Sequence, residues 1–134
     1  MNANEHHKLL LVVEDDTQMM RLLKETLASE GFSVIETRSA EEALLHATSE
    51  HPDLMVLDLM LPGLDGMDFL DNVRKAAWGK HLPVVILTNV SPDDKIMTGV
   101  ARDEPAFYLI KANTSMAELV SKIKNVLGIE TGLA

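Results

Sequence analysis

The sequence predicts an α/β protein in which five parallel strands form a sheet covered by helices on both faces. Short apolar runs alternate five times with segments of helical length, which is typical of parallel strands joined by right-handed crossovers. The runs are rich in Val, Ile and Leu, and this composition indicates strands that are buried on both faces. With 134 residues, 46% of them hydrophobic and 25% charged, the chain has the composition of one globular domain with a single core.

Each predicted strand is bordered by turn residues and is too short to be a helix. Because the carboxyl ends of parallel strands meet at one edge of a sheet, the residues that follow these strands are expected to lie close together. In chain order the predicted strands are residues 9–13, 32–36, 54–59, 83–88 and 107–110.

The helices between the strands have recognisable start and stop signals. A hydroxyl or carboxylate side chain can cap the free N–H groups of a first turn, and glycine readily adopts the left-handed conformation that follows a last turn. In the first helix Met20, Leu23 and Leu27 have the spacing of a core face. The predicted N-caps are Asp16, Ser39, Ser91 before Pro92, and Ser115, and the predicted helix-ending glycines are Gly31 and Gly128.

Composition and charge exclude several classes of function. The chain has no cysteine, so disulfides, thiolate zinc sites and cysteine nucleophiles are excluded. The net charge of -9 opposes the attraction to phosphate that dominates nucleic-acid affinity, and we expect no direct nucleic-acid binding. No basic segment precedes an apolar one at the amino terminus, and no apolar run reaches the ~18 residues of a membrane span, which predicts a soluble cytoplasmic protein.

Polar side chains follow four of the five predicted strands. Acids follow the first strand, one acid ends the third, a hydroxyl and an amide follow the fourth, and an amine follows the fifth. In a doubly wound sheet this edge is where ligands bind. The residues concerned are Glu14, Asp15, Asp58, Thr88, Asn89 and Lys111.

Three carboxylates in one cleft require a cation, because two unit charges 4 Å apart repel by roughly 4 kcal/mol at an effective dielectric of 20. Oxygen ligands that leave places for water and phosphate favour Mg²⁺ over Ca²⁺ or zinc. A carboxylate beside Mg²⁺, with a lysine and a threonine nearby, is an arrangement that can accept a phosphoryl group. The residues therefore predict an aspartate nucleophile with Mg²⁺ as its cofactor.

Residues 8–127 resemble the receiver domain of two-component response regulators. The resemblance is carried by the acid pair after the first strand, by "LDLMLPGLDG" with Asp58, by "ILTN" with Thr88 and by "YLIK" with Lys111. It implies a flavodoxin-like sheet of order 2-1-3-4-5, with a disordered or flexible tail at residues 1–7 and a C-terminal tail at residues 128–134. Because little follows the fifth helix, the stand-alone, chemotaxis-regulator type is the expected form.

The resemblance also implies which acids bind the metal and which one accepts the phosphoryl group. Glu14, Asp15, Asp58 and the backbone carbonyl of Met60 would bind Mg²⁺, and Asp58 would take a phosphoryl group from a sensor histidine kinase or a phosphotransfer protein. The domain would then be a switch that is phosphorylated and dephosphorylated, and not a turnover enzyme. An aspartate-nucleophile phosphatase is disfavoured, because Met60 occupies the position of the second aspartate that those enzymes use.

The remaining implied roles concern switching and partners. Lys111 would bind Asp58 and then the phosphate, Thr88 would bind a phosphate oxygen, and Tyr108 would turn inward as Thr88 moves. The rearranged surface would bind a downstream effector protein. Met19 and Leu22 lie off the core stripe and near the acids, where the family docks its phosphodonor.

Two positions depart from the family pattern. Ala112 follows Lys111 where the family usually has a proline in a cis bond, so we expect a trans bond and a differently shaped loop. Asn89 replaces a small residue that borders the phosphate, and it could either bind the phosphate or obstruct its approach. These departures are the best support for the alternative function, a receiver that acts as a protein-interaction scaffold without phosphorylation.

Overall fold

The computed structural model describes residues 7–129, and most of the two predicted tails lies outside the described residues. Strands and helices alternate, as predicted. The strands are β1 Leu9–Val13, β2 Ser33–Thr37, β3 Leu54–Leu57, β4 Val84–Thr88 and β5 Phe107–Ile110. The helices are α1 Thr17–Ser29, α2 Ala40–Glu50, α3 Gly66–Lys75, α4 Asp94–Asp103 and α5 Met116–Leu127, with a short 3₁₀ helix at Lys111–Asn113.

The five strands form one parallel sheet in the order β2-β1-β3-β4-β5. The predicted fold class and strand order are therefore confirmed. The register aligns the carboxyl ends: Val13 is opposite Leu57, and Thr88 is opposite Ile110. Asp58 lies one residue beyond β3, where its N–H donates to the carbonyl of Val13 at 3.0 Å. The residues that follow β1, β3, β4 and β5 thus lie at one edge of the sheet.

Apolar side chains form a core layer on each face of the sheet. Along β1, Leu10 and Val12 pack into the layer beneath α1 and α5, while Leu11 and Val13 pack into the layer beneath α2 and α3. Alternation of side chains across a strand explains this division. The predicted core face of α1 is buried at Met20, Leu23 and Leu27. In the described part of the chain no helix is long and apolar enough to cross a membrane.

Most of the predicted helix ends are confirmed. Asp16, Ser39 and Ser115 each accept a hydrogen bond from a backbone N–H of the following first turn. Gly31 and Gly128 have positive φ angles of 91° and 70° just past α1 and α5. The left-handed conformation at these two positions costs glycine little, so both helices end where expected.

The predicted N-cap at Ser91 is wrong. Helix α4 begins at Asp94, and its N-cap is Asp93, whose carboxylate accepts the N–H of Ile96 at 2.8 Å. A charged acceptor forms a stronger hydrogen bond to a backbone N–H than a hydroxyl does. The loop between Thr88 and α4 is therefore two residues longer than the sequence suggested.

A short antiparallel hairpin, Met60–Leu61 with Leu64–Asp65, follows Asp58 and was not predicted. The hairpin turns at Gly63, which has a φ of 71°. It returns the chain to Gly66, whose N–H donates to the carbonyl of Leu59 at 3.1 Å. This contact holds the segment that follows the predicted phosphoacceptor.

Replacing Gly66 by alanine should destabilise the protein by about 3 kcal/mol, at the upper end of the usual cost of overpacking. A Cβ at this position would lie 2.4 Å from the Cα of Leu59, and backbone atoms cannot move aside as a side chain can. Chemical denaturation measures the effect. The matched control is Gly63→Ala, which meets nothing within 4 Å but has a positive φ and should cost only about 1 to 2 kcal/mol. Equal losses for the two variants would contradict the prediction.

Candidate functional site

The ends of four strands bring together two carboxylates, a hydroxyl and an ammonium group. Glu14 follows β1, Asp58 follows β3, Thr88 ends β4 and Lys111 follows β5. Glu14, Asp58 and Thr88 are buried, with exposures of 2%, 6% and 0%. Glu14, Asp58 and Lys111 line an open cleft together with Asp15, Asp16, Thr17, Gln18 and Met60.

Asp58 is held through both carboxylate oxygens. Its Oδ1 accepts hydrogen bonds from the hydroxyl of Thr88 at 2.7 Å and from the N–H of Met60 at 3.1 Å. Its Oδ2 accepts from the ammonium of Lys111 at 2.7 Å. Donors from three separate segments of the chain therefore fix the orientation of the carboxylate at the base of the cleft, which is the positioning that catalysis of group transfer requires.

Lys111 also binds Glu14, so that one ammonium bridges two buried carboxylates. Its Nζ lies 2.6 Å from Oε1 of Glu14, while the other oxygen of Glu14 accepts the N–H of Asp16 at 2.9 Å. Burial opposes the charge of Lys111, but the bonds to Asp58 and Glu14 outweigh it and raise the pKa of Lys111 above its ordinary value. The ammonium is therefore charged at neutral pH and balances the two acids.

The donors suit Mg²⁺ in chemistry, but they do not already surround one point. Buried carboxylate oxygens beside an open cleft are ligands that Mg²⁺ uses together with water. Among the described residues, however, no group of three or more acidic or histidine side chains is arranged to hold an ion by itself. Asp15 is exposed, and Lys111 lies between Glu14 and Asp58. A metal here would need backbone or water oxygens in addition to these acids.

Hydrogen bonds through Val90 connect the loop after β4 to Thr88 at the site and to Tyr108 on β5. The N–H of Val90 donates to the hydroxyl oxygen of Thr88 at 3.3 Å, and the hydroxyl of Tyr108 donates to the carbonyl of Val90 at 2.7 Å. Burial, followed by the nearby carboxylates of Asp93 and Asp58, raises the pKa of Tyr108. Tyr108 is thus a neutral hydrogen-bond donor, connected to Asp58 through the loop and Thr88.

The segment after Lys111 has the trans backbone that the sequence predicted, since no peptide bond between described residues is cis. Residues Lys111–Asn113 form a 3₁₀ turn. The N–H of Ala112 donates to the side-chain oxygen of Asn89 at 3.1 Å. From the sequence, Asn89 was expected either to bind the phosphate or to obstruct its approach. Its contact with Ala112 was not predicted, because it depends on the position of a neighbouring loop.

The two predicted docking residues differ in how far their side chains are exposed. Leu22 is 45% exposed, whereas Met19 is partly buried against the core layer beneath α1 and α5. Met60 is 64% exposed beside the cleft. The geometry thus leaves Leu22 and Met60 accessible to a partner, with Met19 serving partly as core.

A doubly wound parallel sheet with acids, a hydroxyl and an ammonium at its carboxyl edge has its candidate site at the strand ends, where sheets of this kind bind their ligands. Residues 10–124 match the family model of the response regulator receiver domain. The chain therefore belongs to the receiver domain family of the response regulators of two-component systems.

Two curated relatives illustrate the match in sequence. The chain is 36% identical over 118 residues to the probable transcriptional regulator ycf27 of Porphyridium aerugineum, with 88% of this chain and 47% of that protein covered. It is 31% identical over 118 residues to the phosphate regulon transcriptional regulatory protein PhoB of Rhizobium meliloti (strain 1021), covering 88% of this chain and 51% of that protein. The chain thus spans about half the length of the curated relatives it matches.

Two solved structures have the same fold. A putative response regulator from Chloroflexus aurantiacus J-10-fl is 32% identical with a TM-score of 0.81, and the match covers 92% of this chain and 99% of that one. A CheY-like receiver domain protein from Methanospirillum hungatei JF-1 has a TM-score of 0.83 at 24% identity, covering 92% of this chain and 95% of that one. The second match is a likeness of fold alone.

Proposed function

We propose that this domain is a phosphorylation-driven switch that accepts a phosphoryl group on Asp58. The observation that carries the proposal is the carboxylate of Asp58, which is held by Thr88 and Lys111 at the base of an open cleft. An oxygen of Asp58 forms the new P–O bond while the P–N bond of a donor phosphohistidine breaks, and that electron pair stays with the histidine nitrogen. The donor is a sensor histidine kinase or a phosphotransfer protein.

The contacts of Lys111 and Thr88 with Asp58 support a role for both side chains in stabilising the transferred group. The Lys111 ammonium neutralises charge that develops on the equatorial oxygens. The Thr88 hydroxyl donates to Asp58 before transfer, and it is free to donate to a phosphoryl oxygen afterwards. Glu14, Asp15, Asp58 and the carbonyl of Met60 would hold Mg²⁺, which supplies additional positive charge when bound.

We propose that phosphorylation of Asp58 changes a binding surface of the domain through movement of the loop after β4. If Thr88 changes its partner, the bonds from Val90 to Thr88 and from Tyr108 to Val90 must adjust. A two-state rearrangement of this kind can expose or remove a binding surface for an effector protein. Exposed Leu22 and partly buried Met19 are proposed to contact the phosphodonor.

The relatives named above are called transcriptional regulators, and this chain matches about half of each. We propose a cytoplasmic signalling role in which this domain controls its target through protein contacts. Its net charge of -9 opposes direct contact with nucleic acid, so nucleic-acid binding, where present, would belong to a partner or to another domain.

Incubation with acetyl phosphate and Mg²⁺ tests the proposed function. We expect intact-protein mass spectrometry to show one added phosphoryl group, and we expect a chelator to suppress it. No adduct with either acetyl phosphate or a phosphorylated kinase would favour the scaffold function. Multiple turnover of varied phosphoesters would instead favour a phosphatase.

A further inference from the structure

We infer that Asn89 is a positioning residue whose side-chain oxygen holds the backbone N–H of Ala112 and thereby orients the turn that carries Lys111. The two atoms lie 3.1 Å apart. The hydrogen bond is possible because Ala112 has an N–H, which a proline at this position would lack. This role deepens the proposed function and rests on it, because Lys111 acts on Asp58.

The bond satisfies a donor at the start of a helical turn. In a short helix the first N–H groups have no partner within the helix, and a nearby side chain usually caps them. The 3₁₀ helix Lys111–Asn113 has no side-chain cap from its own N-cap residue, Ile110. Asn89, which comes from the loop after β4, supplies an acceptor to the second residue of this turn.

The bond also joins the two loops that control Asp58. Asn89 directly follows Thr88, and Ala112 directly follows Lys111. Thr88 and Lys111 each donate to a different oxygen of Asp58. The Asn89–Ala112 bond therefore closes a ring of contacts that runs from Asp58 through the segments of Thr88 and Lys111. Through this bond, movement of the loop after β4 is transmitted to Lys111.

Backbone exchange tests the contact itself. In Asn89→Ala, solvent exchange of the Ala112 amide, measured by NMR, should become about three- to tenfold faster, which is the range expected for loss of one exposed hydrogen bond. Asn89→Asp, which retains an acceptor oxygen, should restore slower exchange. The amide of Met19, capped by Asp16, is the internal control. Unchanged exchange at Ala112 in Asn89→Ala would overturn the inference.

A double-mutant cycle tests whether Asn89 acts through Lys111. Asn89→Ala should slow phosphorylation by acetyl phosphate about three- to tenfold, but it should have no further effect in a Lys111→Gln background. Equal slowing in both backgrounds would show that Asn89 acts on the phosphoryl group directly and would overturn the positioning role.

The same cycle can be measured without phosphorylation, on the unfolding of the metal-free protein. There too, Asn89→Ala should lower the free energy of unfolding of the wild-type chain and have no further effect on it in the Lys111→Gln background. If the wild-type chain takes up no phosphoryl group, the proposed function fails. Coupling of Asn89 to Lys111 in unfolding would then still support the positioning role, and its absence would overturn that role.

Discussion

Replacing Asp58 by asparagine abolishes the phosphoryl adduct formed with acetyl phosphate and Mg²⁺. Asparagine keeps the shape of the side chain and an oxygen that can accept from Thr88 or Met60, so the substitution tests chemistry more than folding. An amide oxygen is a poor nucleophile towards phosphorus, and the negative charge that would help bind Mg²⁺ is lost. Intact-protein mass spectrometry of wild type and variant measures the difference directly.

The neighbouring acids should not replace Asp58 in this reaction. Glu14 is buried and its two oxygens already bind Lys111 and the N–H of Asp16, while Asp15 is exposed and has no role in holding Thr88 or Lys111 in this arrangement. Asp68→Asn, at an exposed position on α3, is the matched control and should be phosphorylated like wild type. An adduct of undiminished yield on Asp58→Asn would show that the nucleophile is another residue.

Replacing Lys111 by methionine lowers the stability of the metal-free protein by about 3 kcal/mol, the range expected when one partner of a buried ion pair is removed. The variant leaves two carboxylates, with side-chain exposures of 3% for Glu14 and 8% for Asp58, without the ammonium that binds both. Urea denaturation in the presence of a chelator measures the loss. Phosphorylation should also slow, because the charge that stabilises the transferred group is gone.

Magnesium should restore much of the stability lost in Lys111→Met. A divalent cation can take over the neutralisation of Glu14 and Asp58, and a ligand that binds the folded state stabilises it by mass action. The gain on adding Mg²⁺ should therefore be larger for Lys111→Met than for wild type. Lys95→Met, an exposed lysine on α4, is the control and should unfold like wild type. A gain from Mg²⁺ no larger than in wild type would show that the cation does not take over the role of the Lys111 ammonium at these acids.

The contribution of Lys111 to the stability of the folded protein should also disappear at high pH. Its pKa in the folded chain is raised above the ordinary value of 10.5, so the folded state binds this proton more tightly than the unfolded state does. The resulting stability is complete below about pH 10.5 and is lost as the pH rises through the raised pKa. The difference in unfolding free energy between wild type and Lys111→Met should therefore shrink above this pH. A difference that stays constant would show that charge is not its source.

Much of this protein follows from local sequence patterns. Runs such as residues 9–13 and 84–88 are apolar enough to be buried on both faces, and their alternation with amphipathic helices leaves few alternatives to a parallel sheet. Local capping chemistry also predicted Asp16, Ser39 and Ser115 correctly, since an N-cap acts on N–H groups two or three residues away. At the start of α4 the local pattern of Ser91 before Pro92 predicted the wrong cap, since the N-cap in the structure is Asp93.

The sequence by itself thus determined the sheet, most helix ends and the residues that meet at its carboxyl edge, because these depend on periodicity and on neighbours along the chain. The tertiary structure alone decided which atoms pair: that Lys111 bridges Glu14 and Asp58, that Tyr108 donates to Val90, and that Asn89 accepts from Ala112. Hydrogen bonds depend on distances of a few tenths of an ångström between loops that are far apart in the chain. No pattern within one loop specifies where the next loop will lie.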